Sequence, residues 1–203
     1  MLKPLIAALA ITLAPQLAWS TAQVKLTPSQ TSVMVGDSFS VLVQGVGFDK
    51  TPTNAVIDNF QGGQNVAFTF NNAALELLSV TVDTAWTFRR LPGTINNTAG
   101  TLKSLTFLAS PALVTTGPDY SFNFATLQFK ALAPGTGSVL ATGGSFVGKV
   151  AGAAAKSINP TLGSTSVMVT SVVPEPGSAA LLLAGMGVVG LLMRRRAAGR
   201  LGC

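Results

Sequence analysis

Between Gln23 and Ser171, apolar residues return at every second position. Val24, Leu26 and Pro28 are spaced this way, as are Phe39, Val41 and Val43. The spacing recurs at Val66, Phe68 and Phe70, at Leu78, Val80 and Val82, at Tyr120, Phe122 and Phe124, and at Val167 and Val169. Period two belongs to a half-buried strand, whose successive side chains point to opposite faces. Turn-forming pairs separate the runs: Gly36-Asp37, Gly62-Gly63, Asn71-Asn72, Pro92-Gly93, Gly117-Pro118 and Pro134-Gly135. The pattern predicts an all-β domain over residues 23–171, an antiparallel β-sandwich of about eight or nine strands. Phe122 and Phe124 are even-numbered, whereas Leu127, Phe129 and Ala131 are odd. One extra residue flips every later side chain, so a β-bulge is expected near Ala125-Thr126.

The two ends follow another pattern. Residues 1–22 carry Lys3, an apolar run from Leu5 to Leu13, Pro15, and small residues at Ala18, Ser20 and Ala22. This is the order of a secretory signal peptide, with cleavage expected after Ser20 or after Ala22. The apolar run is well short of the ~20 residues that span a bilayer. Residues 172–203 read Pro174-Glu175-Pro176, an uncharged apolar segment at 178–193, and Arg194-Arg195-Arg196. The segment suits a single C-terminal transmembrane helix whose arginines snorkel to headgroups and stay on the cytoplasmic side.

Those three parts, in that order, resemble the PEP-CTERM sorting tail. The sorting motif falls on Pro174, Glu175 and Pro176, with the basic cluster at Arg194, Arg195 and Arg196. The resemblance implies a membrane protease-transferase, exosortase, as partner. It also implies export through the inner membrane, transient anchoring there, and then cell surface or extracellular matrix. The family occurs in Gram-negative bacteria that make extracellular polysaccharide. A permanent tail anchor is the alternative, and both readings put the domain outside the cytoplasm.

Three stretches of the middle resemble cohesin-like domains: Val35 to Val41, Val66 to Val80, and Leu127 to Gly137. The resemblance implies a nine-stranded jelly-roll-type sandwich related to carbohydrate-binding modules. Cohesins bind dockerin domains in cellulosomes. The usual Asp-Pro of the central turn is Asn71-Asn72 here, and an Asn side chain can still cap that turn. No dockerin-like segment is visible, and these core motifs carry over none of the dockerin contacts.

Charge adds little to this picture. The net charge is +6, but five of the thirteen cations lie in the two ends, and residues 23–173 hold eight cations against six anions. Dispersed along the chain, these cations predict no nucleic-acid binding and weak, easily screened attraction to polyanions. The single cysteine, Cys203, excludes an internal disulfide, and the absence of histidine removes the usual catalytic base. The carboxylates sit in no catalytic-looking motif, so no enzyme activity, catalytic residue, metal ligand or cofactor is expected. Calcium between loops near Asp49 and Asp58 is the one cofactor the oxygen ligands leave open. Asn96-Asn97-Thr98 matches the glycosylation sequon by pattern. For ligand binding the candidates are Trp86 and Tyr120. Trp86 and Phe88 share one face of a strand-like segment ahead of Arg89-Arg90, and either offer a sugar platform or belong to the core. The expectation is a non-catalytic surface or matrix protein, binding or scaffolding in an exopolysaccharide (biofilm) layer with a polysaccharide or surface protein as partner. The alternatives are a dedicated carbohydrate-binding module or a protein–protein module of the cohesin–dockerin type.

Overall fold

A computed structural model describes residues 22–48, 59–114, 121–149 and 154–171, together with 181, 185 and 186 of the tail. The expected signal peptide, the Pro-Glu-Pro motif and the Arg cluster lie outside the described residues, as does most of the 178–193 segment. Leu181, Gly185 and Met186 have helical backbone. Among the described residues, no helix is long and apolar enough to cross a membrane.

Thirteen strands form among the described residues. In chain order they are β1 (Gln23–Pro28), β2 (Ser32–Met34), β3 (Ser38–Val46), β4 (Asn59–Phe70), β5 (Leu75–Val82), β6 (Arg89–Leu91) and β7 (Thr94–Asn96). There follow β8 (Thr101–Val114), β9 (Phe122–Ala131), β10 (Gly135–Lys149), β11 (Ala155–Ile158), β12 (Thr161–Leu162) and β13 (Ser164–Thr170). One sheet has the order β12-β1-β3-β9-β5; the other runs β2-β13-β10-β4-β8-β6, with β11 beside β10 and β7 beside β8. From β1 to β5 the chain changes sheet at every step. Neither sheet can therefore be completed without the other, and their apolar faces form one shared core.

Two marginal pairs depart from the expected antiparallel pattern. β1 runs parallel to β12, and β2 runs parallel to β13. The first and last strand runs each cross from one sheet to the other, between β1 and β2 and at Gly163, so they stay side by side in both. Gly163 donates its N–H to the Val24 carbonyl at 2.9 Å. A Cβ at Gly163 would collide with that oxygen, which explains a glycine at the crossing.

The β-bulge expected near Ala125-Thr126 is present in β9, at Phe124. Asn123 pairs with Gln44 and Ala125 with Val43, which leaves Phe124 as the extra residue. Phe124 and Ala125 consequently both face the core. Gly45 makes room, since a Cβ there would run into the Phe124 ring. A second bulge, at Leu78 in β5, was not evident from the alternation. Leu77 pairs with Phe129 and Ser79 with Gln128, so Leu78 is turned outward and Leu75 and Leu77 are buried in its place.

The core is aromatic. Phe124 stacks on Phe107 with ring centroids 4.3 Å apart, and Phe48, Phe60, Trp86 and Phe146 surround that pair. Such ring pairs add about 0.5–1.5 kcal/mol each beyond the area they bury. At the other end Phe129 contacts both Phe39 and Phe70.

Asparagines tie the turns at that end. Asn71 Oδ1 accepts from the Ala73 N–H at 3.1 Å, and its Nδ2 donates to the Thr136 carbonyl at 2.9 Å. The amide thus caps the turn in place of the Asp-Pro of cohesin-like sequences. Asn97 acts as a surrogate strand: its Oδ1 accepts from Leu77 N–H at 2.9 Å, and its Nδ2 donates to Leu77 C=O at 3.1 Å. This joins the β7–β8 turn of one sheet to β5 of the other. Asn97→Ala leaves two backbone groups without those partners, and is expected to cost about 1–3 kcal/mol. Urea denaturation checks this. An unchanged midpoint would mean that the Asn97 clamp contributes nothing.

Candidate functional site

The segment after β5 decides which aromatic side chain meets solvent. Asp83 Oδ1 accepts from the Ala85 N–H at 2.9 Å, which forms a tight turn where a strand was expected. The turn sends Trp86 inward. Its ring lies 4.9 Å from Phe107 and its Nε1–H donates to the Asn123 carbonyl at 2.9 Å. Trp86 is completely buried, so it offers no platform to a sugar and belongs to the core instead. Trp86 and Phe88 do not share a face, because the residues between Val82 and Arg89 are not a strand. Tyr120, the second candidate, lies outside the described residues.

Phe88, not Trp86, is the ring that meets solvent. Nine of the eleven phenylalanines are buried and Phe122 packs against the core, so Phe88, at 68% exposure, is the one directed to solvent. Its backbone is held by an N–H bond to the Leu108 carbonyl at 3.0 Å, two residues after the Trp86 anchor. No alternation could reveal this, since the signal lies in the Asp83 turn.

Beside Phe88 is a cleft of about 310 Å³ on the outer face of the larger sheet, lined by Gln61, Gln64, Leu108, Ser110 and Val147. Register explains its shape. Arg89, Leu108, Gly62 and Val147 are paired in one row across β6, β8, β4 and β10. Leu108 and Val147 thus flank Gly62, where a positive φ and the close approach of the Phe107 carbonyl require glycine. A larger, shallower depression of about 690 Å³ lies elsewhere, lined by residues including Thr69, Ser138, Leu140 and Ser166.

Charge is sorted by sheet, which the linear order hides. The strands of the larger sheet carry Arg89, Arg90, Lys103, Lys149 and Lys156 and no acidic residue. Those of the smaller sheet carry Lys25, Lys130 and Glu76. Cations that are dispersed in sequence are therefore concentrated in the strands of one sheet. Among the described residues, no group of three acidic, Cys or His side chains could hold a metal ion. Asn96 of the sequon accepts the Ala99 N–H at 2.9 Å through Oδ1 and so closes its own turn.

The fold is that of a cohesin. The seventh ScaB type I cohesin of Pseudobacteroides cellulosolvens superposes with a TM-score of 0.53 at 19% identity, covering 76% of this chain and 96% of its own. A chain of the type I Coh-OlpA–Doc918 cohesin–dockerin complex of Clostridium thermocellum gives 0.55 at 10% identity, covering 74% and 100%. The third ScaC cohesin of Acetivibrio cellulolyticus, in complex with the ScaB dockerin, gives 0.52 at 19%, covering 73% and 99%. Behind this sandwich the chain carries a sorting signal: residues 172–196 match the PEP-CTERM protein-sorting motif. No curated protein matches the chain in sequence.

The two aromatic residues should respond oppositely to truncation. Trp86→Ala is expected to cost about 3–5 kcal/mol through the cavity it leaves. Phe88→Ala should leave the denaturation midpoint unchanged. Thermal and urea unfolding of both variants check this. A destabilised Phe88→Ala protein would place that ring in the core.

Proposed function

We propose that the protein is an exported, non-catalytic interaction module that exosortase processes at the membrane and that then binds or scaffolds within an extracellular polysaccharide layer. The observation that carries this reading is the junction of sandwich and tail. β13 ends at Thr170 and the sorting motif begins at residue 172. A cut near Pro174-Glu175-Pro176 therefore removes the apolar segment and Arg194–Arg196 without removing a strand. The anchoring is transient in this account. The apolar segment holds the chain in the inner membrane, with the basic cluster inside, until the sandwich is released or re-attached at the surface.

The N-terminal boundary supports cleavage after Ser20 over cleavage after Ala22. Ala22 is 7% exposed, and its carbonyl accepts the Thr161 N–H at 2.8 Å beside the β1–β12 pair. A chain that began at Gln23 would lose that contact.

A protein partner is the second reading. Met34, Leu140 and Met168 are 54%, 43% and 53% exposed on the outward face of the larger sheet, and exposed apolar residues on one face favour protein contact. The Clostridium thermocellum and Acetivibrio cellulolyticus cohesins are seen with dockerins, so docking on the sandwich is the corresponding mode.

Intact-mass analysis of protein from the native host tests the proposal. The expected species begins at Thr21 and lacks Arg194–Arg196. Surface-fraction protein that retains the arginines would contradict processing, and a species beginning at Gln23 would contradict the Ser20 cleavage.

A further inference from the structure

The Phe88 cleft combines features that no requirement of the sandwich explains. An exposed aromatic ring is held on a fixed backbone, between the buried Trp86 and the Leu108 hydrogen bond. The cleft lining adds two carboxamides, Gln61 and Gln64, and the Ser110 hydroxyl. Leu108 and Val147, which flank Gly62 in the ladder, give the cleft its apolar walls. Arg89 follows Phe88 directly and pairs with Leu108 of the cleft wall.

We infer that this cleft is a saccharide-binding site that prefers sugars carrying a carboxylate, such as the uronic acid units of an acidic polysaccharide. Each part of the lining answers one part of that ligand. The C–H face of a pyranose is apolar and packs on an exposed aromatic ring, so Phe88 supplies the platform. Neighbouring hydroxyls both donate and accept hydrogen bonds. A carboxamide also does both, so Gln61 and Gln64 match a hydroxyl pair where a carboxylate or an amine would not. The guanidinium of Arg89 pairs with a carboxylate through two parallel hydrogen bonds, the strongest contact available at an exposed site. The described strands of this sheet carry no acidic residue to repel an anionic chain. At about 310 Å³ the cleft is at the small end of ligand sites, which start at roughly 300 Å³. The cleft is open, so a long polymer can lie across it and present one or two residues.

The site rests on the reading of the sandwich as a binding module. Its test requires neither export nor processing, so its failure is distinct from a failure of the sorting claim. Isothermal titration of the full chain in detergent is made against tetragalacturonate and against the neutral galactose tetramer. The acidic probe should bind at least about tenfold more tightly, a difference of ~1.4 kcal/mol. Phe88→Ala should weaken both probes by about tenfold or more. Arg89→Gln should remove the preference for the acidic probe while leaving the neutral one unaffected. Both side chains are exposed, and the near-ultraviolet circular dichroism of the buried Trp86 confirms that each variant is folded. Absence of binding, equal affinity for the two probes, binding that survives Phe88→Ala, or displacement of the acidic probe by single-stranded oligothymidylate at lower concentration would each overturn the inference.

Discussion

The face-to-face contact of Phe124 with Phe107 is the interaction on which the sandwich depends. The chain has one cysteine, at its last position, so no disulfide can join the sheets. Cohesion must come from apolar contact across the interface. Phe124 comes from β9 in the smaller sheet and Phe107 from β8 in the larger, and their stack at 4.3 Å holds the layers together. The bulge that puts Phe124 and Ala125 on the same side is what allows this contact, and Gly45 leaves the room for it. Packing of this density tolerates neither a lost ring nor an added methyl group without cost.

The same cluster connects the core to the surface. Trp86 closes one side of it, and the short link from Trp86 to β6 carries Phe88 out into solvent. The position of the exposed ring is thus set by the buried one, with one residue between them. The proposed site is pre-organised, because the backbone beneath the exposed ring is already fixed by packing and by the Leu108 bond. Charge obeys a similar division of labour. The larger sheet gathers cations without anions, while the smaller sheet stays mixed and largely uncharged.

Much of this was legible in the sequence, because period-two alternation reports directly on which side chains face a core. The runs at Phe39–Val43, Val66–Phe70 and Val167–Val169 are buried as their spacing predicts. The parity change in β9 announces its bulge to within a residue. The Leu78 bulge escapes notice because Leu75, Leu77, Leu78 and Val80 are all apolar, so either parity fits. Trp86 escapes because the Asp83 turn breaks the strand register, and a side-chain oxygen capping its own turn leaves no periodic trace. Charge sorting is hidden for a topological reason. Residues far apart in the chain, such as Arg89 and Lys149, come into one sheet only when the strands interleave.

In the proposed function the C-terminal tail is a removable address and the folded domain is the part that acts. Two labels in one chain test this most directly. An epitope in the sandwich and a second after Arg196 are followed through fractionation of the native host. The account predicts that the sandwich epitope reaches the outer surface or matrix while the C-terminal epitope stays with the inner membrane. Recovery of both epitopes in one full-length species at the surface would contradict it.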